Sequence, residues 1–433
     1  MKKIMNNPKI TPPSSSATAT GLRESLKVGL RATLHTVLLS GLFAFSSFTS
    51  AQQNLKIGAI NPYSGPMALY GTEVTRGYEL AVEEINKKGG LLGKKVELIR
   101  GDASTPQQGI ATVEQLANND KVDLFMGTYI SAISLTASDT AARYNKLYWE
   151  TNAVAQNLID RGLPNFIRSG PDSAAFSTTS VATIKYIVAP ALKKEMKDLK
   201  IWIEHEDSIY GSSIANSQKI SLEALGAKVV VMSAHSAKSI DMNDSVLRAK
   251  QANPDVLLQT GYVPDGSLLL RTIRDQGVKP PAIVFVGTGD TKETLDALGA
   301  DFMEGLLVVG YPKYDISEVY GPGSKAYLKA YRAKYNAEPL APQSMAAYSG
   351  AMILFDVIKT AGSTDVDKVR AVAEKMDVPE STYPSGYGAK FNKLQNVRSN
   401  FTTAQWQAGK MVTVFPKEAT PAGVVLKNLP RKQ

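Results

Sequence analysis

Residues 55–99 read LKIGAINPYSGPMALYGTEVTRGYELAVEEINKKGGLLGKKVELI, and this stretch decides the fold class. Leu55–Ile60 is a short apolar run of strand length, followed by a loop over Asn61–Gly71 that carries Pro62, Gly65 and Pro66. Val74, Tyr78, Ala81, Val82 and Ile85 then recur on one face of a helix. Gly89-Gly90 ends that helix, because glycine accepts the left-handed backbone found just past a helix end. Val96–Ile99 is the next apolar run. Strand, loop, helix, strand is the unit of a parallel sheet.

The unit repeats outward from there. Ile110, Val113, Leu116 and Ala117 mark a helix, Val122–Met126 a strand, Leu135–Ala142 a helix and Leu147–Glu150 a strand. Beyond Ser169-Gly170-Pro171 the pattern restarts, with strands at Lys200–Glu204, Lys228–Met232, Asp255–Gln259, Ile283–Val286 and Leu306–Val309. Helices fit at 174–192, 212–225, 242–252, 265–276 and 291–298. Strands alternating with helices of this length predict parallel sheets with right-handed crossovers, and two runs predict two lobes of an α/β protein. Three helices follow at 323–335, 343–361 and 365–376, then strands around Lys390–Phe391, Phe401–Trp406 and Met411–Phe415. A chain of 433 residues suits two domains, since single cores stop growing at roughly 250–300 residues.

The first fifty residues differ in kind. Lys2, Lys3, Lys9, Arg23, Lys27 and Arg31 face one acid, Glu24, and the apolar run Val37–Phe45 ends in Thr49-Ser50-Ala51. Thr49 and Ala51 occupy the positions a signal peptidase reads, so residues 1–51 are expected to be a signal peptide cleaved near Ala51. The apolar run is well short of the roughly 20 residues that span a bilayer. Without that leader the formal charge falls from +9 to +4, and no dense Lys/Arg tract remains to hold nucleic acid. The chain has no cysteine, which excludes disulfides, thiol catalysis, cysteine metal sites and lipid attachment at an N-terminal cysteine. The mature protein is expected in the periplasm, in solution, as a monomer.

In open parallel sheets ligands bind beyond the carboxyl ends of the strands, where strand order reverses. The loops at those ends are Asn61–Gly71, Gly127–Ser131, Thr151–Ala155, Asp207–Gly211, Gly261–Asp265 and Gly287–Asp290, and they carry Tyr63, Tyr70, Tyr129, Tyr210 and Tyr262. A tyrosine offers a flat apolar face and one hydroxyl, which suits a cleft for a small amphipathic molecule. Trp149 and Trp202 lie within strands and read as core. Enzyme signatures are missing. Gly287-Thr288-Gly289 lacks the third glycine of a dinucleotide loop, where Lys292 stands, and His205 and His235 have no zinc spacing. No catalytic residue, metal or cofactor is expected.

At these loops the sequence resembles the branched-chain amino acid (Leu/Ile/Val) binding proteins of ABC transporters, which have the type I periplasmic binding fold. The likeness is carried by Ile57–Ile60, Tyr63-Ser64-Gly65-Pro66, Tyr70-Gly71, Ala81–Gly90, Arg161-Gly162, Tyr210-Gly211, Gly261-Tyr262 and Glu304–Val308, in family order. It implies two Rossmann-like lobes with parallel sheets joined by three crossings, one built from 54–170 and 311–399 and the other from 171–310 and 400–420, with 421–433 a polar tail. It also implies a small-molecule ligand, an amino acid or other carboxylate, in the interlobe cleft, delivered to an ABC transporter permease. Ser131 matches the serine that holds the ligand carboxylate, and Tyr70 an aromatic wall. Asn152, Ala153 and Val154 match a segment whose backbone and threonine hydroxyl bind carboxylate and ammonium. Tyr210 and Tyr262 match second-lobe tyrosines, and Tyr129 joins the set by its loop. The family's acid for the ammonium falls on Gly289, with Asp290 beside it.

Two departures follow from this matching: Val154 has no hydroxyl and Gly289 no charge. An ammonium buried without a counter-charge costs several kcal/mol. Either Asp290 or Glu150 supplies the charge, or the ligand lacks an α-amino group. Other readings of the same residues are packing for the tyrosines, helix N-caps for Ser131 and Asp290, and loop bracing for Asn152. At the level of function, the alternatives are a ligand-sensing receptor module of the same fold, or a binding protein for an aromatic acid, amide or urea.

Overall fold

The apolar runs assemble into two sheets, each wrapped by helices on both faces. A computed structural model describes residues 53–431, so the expected leader lies outside the described residues. In the first sheet β1 (Leu55–Asn61), β2 (Val96–Asp102), β3 (Leu124–Gly127), β4 (Tyr148–Glu150) and β5 (Phe166–Arg168) run parallel. In the second, β6 (Lys200–Glu206), β7 (Lys228–His235), β8 (Val256–Thr260), β9 (Ala282–Val286) and β10 (Leu307–Gly310) do the same. The chain then returns to the first sheet for β11 (Asp377–Val378), β12 (Ala389–Asn392) and β13 (Gln395–Asn396). It ends in the second with the antiparallel pair β14 (Thr402–Gln407) and β15 (Lys410–Phe415).

The sheet orders are β11-β12-β13-β5-β4-β3-β1-β2 and β15-β14-β10-β9-β8-β6-β7. The parallel parts therefore repeat one design, with the first strand of each lobe between the second and the third. That arrangement puts a reversal of strand order beside β1 in one lobe and beside β6 in the other, where clefts form. The chain passes between the sheets three times, after β5, after β10 and after β13. The fold is the two-lobed α/β architecture that the sequence pattern predicts, with the three crossings that the family resemblance implies.

Burial explains why the strands read as they do. Every residue of β8 and β9 is buried, and β9 is an unbroken apolar run because helices cover both faces, while β8 ends in buried Gln259 and Thr260. The edge strand β7 instead alternates exposed and covered positions over much of its length. Over the first sheet, helix Ala68–Lys87 packs closely against helix Gln343–Ala361. Gly77 faces that neighbour, where a Cβ would collide with the carbonyl of Ser344.

Some boundaries differ from expectation. The loop after β1 is shorter than Asn61–Gly71, because a tight turn at Gly65–Met67 leads into a helix at Ala68, making Tyr70 and Gly71 helical. Gly71 permits this, since any side chain there would strike the carbonyl of Pro62. The tail also folds back onto the second lobe. Gln405 Nε2 donates to the carbonyl of Lys427 (2.8 Å), Gln407 Nε2 to that of Val425 (2.8 Å), and the Arg431 amide to that of Pro281 (2.9 Å). Among the described residues no helix is long and apolar enough to cross a membrane.

Candidate functional site

Two strand ends of the first lobe face three of the second. Tyr129 follows β3 and Asn152 and Val154 follow β4; facing them, Tyr210 follows β6, Tyr262 follows β8 and Gly287 follows β9. These six residues, with Phe176 and Tyr311, line a cavity between the sheets. It is narrow: only ≈ 20 Å³ is open to the centre of a water molecule, about the room one water needs. Tyrosine rings account for the constriction. Tyr70 stacks on Tyr129 at 4.7 Å, Tyr129 meets the edge of Tyr262 at 6.4 Å, and Tyr262 lies 5.2 Å from Tyr210. The row of four rings runs from one lobe to the other. The Tyr70 hydroxyl also crosses it, donating to Asp290 Oδ1 at 3.3 Å.

Strand-end glutamates fix the loops that carry these rings. Glu150, the last residue of β4, is wholly buried. Its Oε1 accepts from the amides of Thr151, Asn152 and Ala153, each at 2.9 Å. Its Oε2 accepts from the Thr128 amide at 2.7 Å and from the Ser134 hydroxyl. Burial pushes the carboxyl up to about 7 against the downward pull of those donors. Glu206 does the same at the end of β6, accepting from the amides of Ser208 (2.8 Å) and Gly211 (2.6 Å). Gly211 is needed because a Cβ there would collide with the Glu206 carbonyl.

Of the ten residues singled out in the sequence, Tyr129, Asn152, Val154, Tyr210 and Tyr262 line the cavity. Tyr70 backs Tyr129, and Asp290 is held by Tyr70. Ser131 does not cap its helix, which starts at Ser131 itself; its hydroxyl accepts from the Ala155 amide at 3.2 Å and ties two site loops together. The Ala153 amide is taken by Glu150, and the Gly289 carbonyl accepts from Trp406 Nε1 at 2.8 Å. Both Glu150 oxygens serve the first-lobe loops, and Glu150 is not among the residues that line the cavity. Asn152 is the most informative member. Its carbonyl accepts the Tyr311 hydroxyl at 2.6 Å, its Oδ1 accepts from Thr151, and its buried Nδ2 has no partner.

Phe176 and Tyr311 escaped the sequence reading. Tyr311 stands one residue past β10, so the rule that found the other strand-tip tyrosines applies to it as well. Phe176 sits mid-helix in Ser173–Thr183 and stacks on Phe401 at a centroid distance of 3.4 Å, with no local signal to set it apart. Burial raises the hydroxyl pKa of Tyr129, Tyr210, Tyr262 and Tyr311, so all four stay protonated near neutral pH. No charged side chain lines the cavity, and no cluster of metal-ligating groups occurs among the described residues.

The sequence profile of the periplasmic binding protein family matches residues 54–410. The chain belongs to that family. The binding protein is 35% identical to Leu/Ile/Val-binding protein homolog 7 of Brucella suis over 387 residues, covering 89% of this chain and 97% of that one. It is 36% identical to homolog 8 of the same organism over 384 residues, 88% and 95% of the two chains. Among solved structures it superposes on the branched-chain amino acid transporter substrate binding protein of Streptococcus pneumoniae in complex with isoleucine, with a TM-score of 0.71 at 21% identity, covering 84% and 100% of the chains. A solute binding protein of an ABC transporter from R. palustris, in complex with 4-hydroxybenzoate, gives 0.72 at 21% identity over 84% and 96%. At that identity these structures establish the shared fold.

Proposed function

We propose that this protein captures a small carboxylate between its lobes, outside the cytoplasmic membrane, and hands it without turnover to an ABC transporter permease. The supporting observation is the cavity itself. Loops from both sheets meet there, four of its eight lining residues are tyrosines, and a fifth, Asn152, has a buried side-chain amide donor, Nδ2, without a partner. Such a donor, with neighbouring hydroxyls, orients a carboxylate while the rings cover the rest of the molecule. The cavity as shaped cannot take even a small amino acid, so entry requires the lobes to part, with hinges at 170/171, 310/311 and 399/400. The guest then stabilises the closed form by touching both lobes. The Leu/Ile/Val-type relatives support an amino acid as cargo.

One observation favours a ligand with no α-amino group. The Asn152 carbonyl already accepts a hydroxyl from Tyr311, Val154 offers none, and no acid lines the cavity. An aromatic carboxylate would suit the ring-walled space, and the fold neighbour that holds 4-hydroxybenzoate supports the same reading. Calorimetric titration of the purified protein with L-leucine, L-isoleucine, 4-hydroxybenzoate and benzamide tests both. Binding of one carboxylate with a micromolar or lower Kd is expected, and binding of benzamide alone would overturn the carboxylate assignment. Asp290→Asn separates the two carboxylates. It should weaken leucine by about 1–3 kcal/mol if Asp290 pairs with an ammonium, and leave 4-hydroxybenzoate unchanged or tighter.

A further inference from the structure

Behind the second-lobe wall lies a buried group of charges that the cleft itself does not use. His235, the last residue of β7, has a side chain only 6% exposed. Its Nδ1 is 2.8 Å from Glu204 Oε1 and its Nε2 is 2.9 Å from Asp265 Oδ2. Carboxylate oxygens only accept, so both ring nitrogens must donate, and the ring is an imidazolium. Glu204 comes from β6 and Asp265 from helix Val263–Asp275; the third element packed here, helix Asn243–Ala252, contributes uncharged Ser245, whose hydroxyl donates to Glu204 Oε2. Trp202 Nε1 donates to the same oxygen at 3.1 Å. The charged groups facing the ring are therefore Glu204 and Asp265.

Asp265 has a second task. Its Oδ1 accepts from the Tyr262 amide at 2.9 Å, so it sets the start of the helix on which Tyr262 stands. The approach is close enough that any side chain at Gly261 would strike the Asp265 carboxylate. Tyr262 in turn meets Tyr129 of the other lobe and Tyr210 of its own.

We infer that His235 is a positioning residue for the cleft: as an imidazolium it anchors Asp265, and through Asp265 it fixes the Tyr262 wall that the guest must press against. The consequence for ligand rests on the cleft reading given above, but the linkage itself does not need a ligand. Burial pushes His235 down, and the hydrogen bonds to Asp265 and Glu204 outweigh it, raising its pKa to about 9. As pH passes that value the ring loses one donor, and the two carboxylates are left with one proton between them.

The test is an NMR titration of the ligand-free protein labelled with ¹⁵N in histidine and tyrosine, from pH 6 to 10.5. The His235 signal, assigned by its loss in His235→Gln, should titrate with a midpoint near 9. The Tyr262 amide shift should follow with the same midpoint and stay flat in Asp265→Asn. A His235 midpoint near the ordinary 6.5, or a Tyr262 amide that does not move while His235 titrates, overturns the assignment. The wild-type titration decides the matter even if His235→Gln fails to fold, since His205→Asn then assigns the histidine signals by elimination among the described residues. A purely structural histidine would lower stability on substitution yet leave the Tyr262 amide insensitive to pH.

Discussion

Glu150 anchors the first-lobe side of the cleft through one carboxylate, and a change of a single atom tests it. In Glu150→Gln an NH₂ group replaces an acceptor oxygen, so one or more buried amides among Thr128, Thr151, Asn152 and Ala153 lose their partner. An unsatisfied buried donor costs about 1–3 kcal/mol, so urea unfolding should show a loss of about 3 kcal/mol in stability. Tyr210 is tested through binding. Its ring lines the cavity and its hydroxyl points at the Val286 carbonyl, 3.3 Å away. Tyr210→Ala should weaken the bound carboxylate by about 1–3 kcal/mol in calorimetry, and an unchanged Kd would remove it from the wall. At this scale the sequence was read only in part. Tyr129, Tyr210 and Tyr262 were legible because strand tips are legible. The partners of Glu150 and Asn152 were not, because hydrogen bonds between loops depend on how separate strands are set side by side.

Helices and strands were the most legible level, for a physical reason. A helix such as Ala68–Lys87 repeats its apolar face over five turns, whereas β5, β11 and β13 are two or three residues long and carry no period. Those short strands exist because a neighbouring edge pairs with them, which is a property of the assembled sheet. Helix starts were misplaced for a related reason: Tyr70 and Tyr210 lie in first turns whose glycines, Gly71 and Gly211, let the helix begin against another backbone. Helix-to-helix contact gives its own prediction. Gly77→Ala forces a methyl against the Ser344 carbonyl, and the helices Ala68–Lys87 and Gln343–Ala361 must separate. Overpacking of this kind costs about 1–3 kcal/mol, visible as a lower urea midpoint with little change in slope.

For the molecule as a whole, the raised pKa of His235 makes stability depend on pH. A group whose pKa rises on folding, here to about 9, contributes fully below its unfolded value and loses that contribution as pH climbs through the folded one. Unfolding midpoints measured from pH 6.5 to 10 should therefore fall, by up to about 3 kcal/mol in stability, and the fall should shrink in His235→Gln. The two-lobed plan was legible from the restart after Gly170, but the closeness of the lobes was not. No residue pattern announces that four rings from opposite halves will line up. The three crossings also govern how the protein is made. Arg168 on β5 pairs in register with Gln395 on β13, and β10, already paired with β9, finds its second neighbour only at β14. Neither half can complete its sheet until nearly all of the polypeptide has left the ribosome, so pairings between distant partners come last and slowly. A nascent chain bound for export benefits from that delay, because it stays pliable enough to be threaded across a membrane before it sets.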